Sequence, residues 1–279
     1  MKSASPFPPF EPDNNSDSEQ HKRRAPIAMR YLVPNVITVL AIVAGLSSIR
    51  MAIEHRFESA IFMMLIAAVL DGIDGRIARL MNGSSPFGEQ MDSLADAINF
   101  GVAPAIICYI YILDQARNFG WMAAVVYCVA CCLRLARFNV ALERHDTPDW
   151  QKHYFVGIPA PAGGCLLVLP IYLGAFDLPV NHVTGIIFSI YTLAIAFLMV
   201  SKLPVYNGKS IGKGVRRDIV VPLMLVIVAY VVLLVSYTWL TLTISAFLYL
   251  IFLPISVFTY HRQEQKEKLR NFDKDIAQS

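Results

Sequence analysis

The chain runs again and again for about twenty residues with almost unbroken apolar character, and segments of that kind have few places to go. At ~1.5 Å rise per residue, a helix of that length crosses a hydrocarbon core of ~30 Å, where every backbone polar group has to be satisfied inside the segment. Such stretches lie at roughly 31–49, 58–80, 92–113, 119–137, 158–176, 183–200, 219–236 and 239–258. The expected fold is therefore all-α, a polytopic membrane bundle of about eight transmembrane helices. Composition supports this over a soluble domain: 56% of the residues are hydrophobic and 16% charged, against roughly 45–50% and about 25% in soluble proteins. No nucleic-acid partner is expected. The boundary between the last two runs is the weakest, since only Tyr237 and Thr238 interrupt them.

Residues 1–30 are rich in Pro, Ser, Asn and acidic groups and end near the basic run His21, Lys22, Arg23, Arg24, so they are expected to form a disordered cytoplasmic tail. The basic run is far from Met1 and the apolar run after it is long, which favours a retained first helix over a cleaved signal peptide. Residues 31–260 then form one membrane domain, and 261–279 a charged cytoplasmic tail. With both tails inside, 21 of the 24 Lys and Arg fall on the cytoplasmic side and only Arg50, Arg56 and Arg117 outside. The positive-inside rule selects that orientation in the cytoplasmic membrane. Cys108, Cys128, Cys131, Cys132 and Cys165 all sit in apolar runs and read as packing residues.

Against this apolar background, Asp71, Asp74, Asp92 and Asp96 stand at the ends of segments that otherwise look membrane-embedded. Buried carboxylates are costly unless paired, hydrated or bound to metal, so the cluster points to function. Asp71 and Asp74 are i, i+3, and Asp92 and Asp96 are i, i+4, so each pair projects from one helix face. A cytoplasmic hairpin over Met81 to Met91 would let the two faces oppose each other. Four converging carboxylates suit a hard divalent ion such as Mg²⁺ or Mn²⁺. Gly75 and Gly88 lie on the same faces, where a missing side chain lets a flat or phosphorylated ligand approach. Ala78 extends the small surface, and Arg79 is placed to meet phosphate. The competing structural reading is an ion network of these acids with Arg76 and Arg79.

Written out, the pattern is Asp71-x-x-Asp74-Gly75-x-x-Ala78-Arg79, eight residues, then Gly88-x-x-x-Asp92-x-x-x-Asp96. It resembles the signature of the CDP-alcohol phosphatidyltransferase family at every motif position. The resemblance implies a membrane helical bundle, usually homodimeric, in which aspartates hold divalent metal against a CDP diphosphate. Carried over by position, Asp71, Asp74 and Asp92 become metal ligands, Asp96 a ligand or the catalytic base, and Gly75, Ala78, Arg79 and Gly88 contacts of the nucleotide. Asn35 and Thr38 share a face of the first helix, which Pro34 is expected to open near its N1 position, and they read either as caps or as further nucleotide contacts.

The motif leaves the acceptor alcohol open. Three later blocks, Phe100-Gly101-Val102-Ala103-Pro104-Ala105, Leu133 to Val140 and Phe155 to Ala162, look like those of bacterial and archaeal phosphatidylserine synthases in the same family. With them the resemblance covers roughly residues 31–165. Serine carries a carboxylate, which Arg binds through two parallel hydrogen bonds, and Arg134, Arg137 and Asn139 at the cytoplasmic end of the fourth run are the expected serine-binding residues. The implied reaction is transfer of a phosphatidyl group from CDP-diacylglycerol to L-serine, giving phosphatidylserine and CMP. Choline or another headgroup alcohol is the alternative acceptor. An ion-coupled transporter would also place acids among helices, but near mid-membrane and in repeated halves.

Overall fold

The structure, a computed structural model, describes residues 29–81, 85–142, 154–201, 204–206 and 217–256; the tails expected before residue 29 and beyond residue 260 lie outside them. The chain folds as helices α1 (Met29–Ile53), α2 (Phe57–Leu80), α3 (Pro86–Asp96), α4 (Ala103–Tyr111), α5 (Asn118–Leu142), α6 (Ala160–Leu167), α7 (Leu169–Gly174), α8 (His182–Val200) and α9 (Arg217–Ser236). A last helix, α10, covers Thr238–Ser256. Among the described residues five stretches are long and apolar enough to cross a membrane: Leu32–Ile53, Phe87–Tyr111, Asn118–Val140, His182–Val200 and Thr238–Ser256, with Ala160–Gly174 and Val220–Ser236 as shorter apolar helices. The helix α2 has the length of a span, and its last turns carry Asp71, Asp74, Arg76 and Arg79.

Small residues let these helices approach closely, as membrane packing requires. On α1, Ala41, Ala44, Ser48 and Ala52 are buried, and α2 answers with Ala60 and Ala67 beside Ile61 and Met64. The core continues through Phe100, Ile107, Tyr127, Leu167, Ile195 and Met199. Outward-facing positions are equally apolar, including Leu40, Val43, Val69, Val129 and Phe197. A surface of that kind suits lipid rather than water.

Several boundaries differ from the expectation. Pro34 does not open α1 but stands inside it, because the helix begins at Met29. The third run does not begin at residue 92: Ser85 caps α3 by accepting the Gly88 N–H, with Pro86 in the first helical turn. The hairpin between α2 and α3 is correspondingly shorter than Met81 to Met91. From Ala97 to Val102 the chain widens into a π-helical turn before α4. The fifth run is broken at Val168, ahead of Pro170, into α6 and α7. The two final runs are separate helices: a straight helix would hold residues 230 and 245 about 22 Å apart, yet the hydroxyls of Tyr230 and Ser245 meet at 3.2 Å.

Two three-residue strands, β1 (Tyr154–Val156) and β2 (Pro204–Tyr206), pair antiparallel with Phe155 opposite Val205. They add a short ribbon to an otherwise helical fold. Gly157 follows β1 at φ 80°, where a side chain would run into the Met199 carbonyl. That close approach lets the Ile158 N–H reach Leu198 O at 3.4 Å, in the last turn of α8. The end of α8, the end of α5, the start of α3 and the α1–α2 pair thereby meet at one end of the bundle.

Candidate active site

At that end α1 and α2 run antiparallel, so the first turns of α1 face the last turns of α2. Thr38 Oγ donates to Asp74 Oδ2 at 2.6 Å and also lies 3.1 Å from Pro34 O. The other Asp74 oxygen accepts the Gly75 N–H at 2.6 Å. Asp74 is 2% exposed, and these two donors are what make such a burial tolerable. Thr38 therefore holds an aspartate, which the sequence reading had not assigned to it.

A cavity of about 190 Å³ opens beside this pair, lined by Asn35, Thr38, Asp74, Gly75, Ala78, Arg79, Gly88 and Asp92, together with Pro34, Ser85 and Glu89. All six expected nucleotide contacts line it. Sites for whole drug-sized ligands hold roughly 300–1,000 Å³, so this cavity has room for a part of such a ligand. Nothing lies within 4 Å of where a Gly75 side chain would stand, so its bare backbone forms open wall. A side chain on Gly88 would press on Asn35 Oδ1 at 2.9 Å. Arg79 Nε donates to Gly75 O at 2.9 Å, which fixes the guanidinium on the rim.

The four aspartates come together electrostatically: Asp71 repels Asp96, Asp92 and Asp74, and Asp92 repels Asp74. Among the described residues the ion pairs join Glu54 to Arg50 and Arg56 at the opposite end. Arg76 and Arg79 thus leave the acids uncompensated, contrary to the structural ion-network reading. As the side chains stand, no three acidic, histidine or cysteine groups among the described residues are drawn tightly enough to enclose a metal. Asp74 spends its oxygens on Thr38 and Gly75, while Asp71 Oδ1 is buried without a donor. Four hard oxygen ligands, one of them orphaned and none paired with a cation on its own helix, fit Mg²⁺ or Mn²⁺ in chemistry.

The three expected serine contacts separate. Arg134 is 8% exposed, its Nε has no partner, and its charge attracts Asp96. Its guanidinium also sits 6.0 Å above the Phe138 ring. Arg137 turns instead to the end of α8, donating to Val200 O at 2.8 Å and to Ser201 O at 3.2 Å. Those carbonyls are among the ones a helix leaves unsatisfied at its C-terminus. Asn139 Nδ2 donates to Ser93 Oγ at 2.9 Å and ties α5 to α3 one residue from Asp92. Lys152, His153, Lys209, Lys213 and Arg216 lie outside the described residues.

Sequence reasoning missed Ser85 and Glu89, which look like ordinary hairpin residues, and Asn99. Asn99 lies in the π turn one helical turn after Asp96, 1% exposed, with neither amide atom partnered. An uncharged side chain in an apolar run gave no signal beyond the Phe100-Gly101 block beside it. The turn itself is held by Tyr127, whose hydroxyl donates to Phe100 O at 2.9 Å.

Residues 31–200 match the family model described as CDP-alcohol phosphatidyltransferase, and residues 218–254 match a second, CDP-alcohol phosphatidyltransferase 2. Among curated proteins, the chain is 38% identical over 231 residues to the CDP-diacylglycerol–serine O-phosphatidyltransferase of Mycobacterium leprae, covering 81% of this chain and 74% of that one. The protein of the same name from Helicobacter pylori is 35% identical over 203 residues, 73% of this chain and 84% of its own. That of Methanocaldococcus jannaschii is 31% identical over 179 residues, 63% and 76% respectively. The matches extend past residue 165 into the later helices, where the sequence motifs had faded.

Proposed function

The chain belongs to the CDP-alcohol phosphatidyltransferase family, and we propose that it transfers the phosphatidyl group of CDP-diacylglycerol to L-serine, giving phosphatidylserine and CMP. The observation that carries the reading is the single cavity in which Asn35, Thr38, Gly75, Ala78, Arg79 and Gly88 adjoin Asp74 and Asp92. A wall of small residues admits the flat nucleotide, Arg79 meets its phosphate, and the acids stand where the diphosphate would lie. The choice of serine is supported by the names of the relatives and by Arg134, a buried cation beside Asp96 that lacks a hydrogen-bonded anion.

In this mechanism Asp71, Asp74, Asp92 and Asp96 would hold Mg²⁺ or Mn²⁺, whose charge neutralises the diphosphate when bound. Thr38 and the Gly75 N–H keep Asp74 oriented. Arg134 draws the serine carboxylate to the Asp96 side, and Asp96 takes the proton from the serine hydroxyl. The freed oxygen attacks the phosphorus that carries diacylglycerol, and the bond to the bridging oxygen of the diphosphate breaks, releasing CMP. The proton on Asp96 then passes to water. The site faces the cytoplasm, where serine and water are at hand, and CDP-diacylglycerol enters sideways from the membrane. Asymmetry of the basic residues supports that orientation in the cytoplasmic membrane, and the family resemblance supports a homodimer.

An assay of the purified protein with CDP-diacylglycerol and labelled serine, glycerol phosphate, inositol, choline and ethanolamine tests the proposal. Phosphatidylserine with stoichiometric CMP is expected from serine alone. Turnover with another alcohol in preference to serine would replace the acceptor while leaving the nucleotide site intact.

A further inference from the structure

We infer that Tyr249, on α10, completes the acceptor site with Arg134, the phenol O–H and the Arg134 Nε–H together gripping the carboxylate of the incoming alcohol. This rests on the serine reading above and assigns a role to the last helix, which none of the motifs reaches. The inward stripe of α10 is marked by Leu242, Ala246 and Leu253, all buried. Tyr249 falls on that stripe at helical spacing from Ala246 and packs against the core. Its hydroxyl oxygen is shielded from water and has no partner. Arg134 Nε, on α5, is likewise buried without a partner, and the two side chains are near enough to interact electrostatically.

Leaving two such buried groups without partners is costly, and a guanidinium cannot escape the cost by losing its proton. The phenol can donate as well as accept while Arg134 Nε can only donate, so an anionic acceptor common to the two satisfies both. A carboxylate offers two oxygens for two donors and a charge opposite to Arg134. Asp96 also attracts Arg134, yet in the proposed mechanism that acid serves the hydroxyl end of the acceptor. The proposed site therefore calls for a short acceptor with a carboxylate for the Tyr249–Arg134 pair and a hydroxyl for Asp96. An amine alcohol without a carboxylate does not fit.

The test uses the full-length protein in detergent with CDP-diacylglycerol, comparing wild type with Tyr249→Phe, which keeps the ring and removes only the donor. A lost hydrogen bond to a charged group corresponds to about ten-fold or more in affinity. The KM for serine is expected to rise about ten-fold, and inhibition by L-alanine, which has the carboxylate but no hydroxyl, to weaken equally. The KM for CDP-diacylglycerol should stay put. An unchanged serine KM, or a shift confined to CDP-diacylglycerol, overturns the inference and leaves the serine transferase reading standing. Wild-type protein that makes no phosphatidylserine overturns both. If the phenylalanine variant unfolds, Tyr249→Gln, which retains a donor, against Tyr249→Leu, which has none, reads the same difference: tighter serine binding by Gln supports the role, and equal binding removes it.

Discussion

Each aspartate of the cluster has a distinct setting, and the settings predict distinct losses. Asp74 is held by Thr38 and the Gly75 N–H, whereas Asp71 keeps a buried oxygen with no donor. Asp71→Asn, Asp74→Asn and Asp92→Asn each remove a charge at nearly constant volume, so the protein should still insert while turnover falls at least about 100-fold, as for loss of a group that stabilises developing charge. EDTA should mimic the loss, with Mg²⁺ or Mn²⁺ restoring activity; full activity in EDTA would overturn the metal proposal. Of the two expected serine-binding arginines, Arg137 is engaged by the end of α8, and Arg134 is the one left to meet an acceptor carboxylate. Arg134→Lys keeps the charge but loses the planar fork, so the apparent KM for serine should rise about ten-fold. Arg137→Lys should leave that KM alone and instead lower the thermal stability of the α5–α8 contact. Steady-state kinetics and a melting curve in detergent separate the two. The acids and glycines were legible because their spacing is itself the signal. Tyr249 and Asn99 were not, since a lone polar residue in an apolar run looks the same whether it faces a ligand or a neighbouring helix.

Elements were legible where apolar length decides them and less so where a single cap or kink does. Runs 119–137 and 183–200 lie within α5 and α8, because the span length and the flanking polar residues agree. The start of α3 was displaced by several residues because Ser85 and Pro86 outweigh the polarity of the turn that follows them. Nothing in the residue pattern announces the π turn over Ala97–Val102, which depends on what packs against it: Tyr127 on one carbonyl and Gly45 against the side chain of Asn99. Gly45→Ala would drive a methyl group into Asn99, and overpacking of this kind costs about 1–3 kcal/mol. Because Asn99 follows Asp96 by one helical turn, the same substitution should also lower kcat. Thermal unfolding and initial rates of the one variant check both; a fall in stability with full kcat would make the turn a packing feature with no bearing on Asp96.

At the scale of the molecule, the basic residues sort by end. Arg76 and Arg79 finish α2, Arg134 and Arg137 finish the part of α5 beside α8, and all four lie at the aspartate end of the bundle. Arg50 and Arg56 close the α1–α2 turn, and Arg117 stands between α4 and α5, where Gln115 O meets the His182 ring at the start of α8. The three positions expected outside from charge counting thus share the opposite end in three dimensions. The folded arrangement and the positive-inside rule rest on independent observations, one on hydrogen bonds and packing, the other on composition of connecting segments. The proposed orientation accordingly has the cavity on the cytoplasmic face. Single cysteines at exposed Gln90, near the cavity, and exposed Asn118, at the far end, read this directly in a chain whose five native cysteines are replaced by alanine. In intact cells an impermeant maleimide should label Asn118→Cys and spare Gln90→Cys, with the pattern reversed in inverted membrane vesicles. Labelling of Gln90→Cys from outside would turn the bundle over, separate the cavity from the cytoplasmic serine pool, and leave the acceptor to be sought on the other side of the membrane.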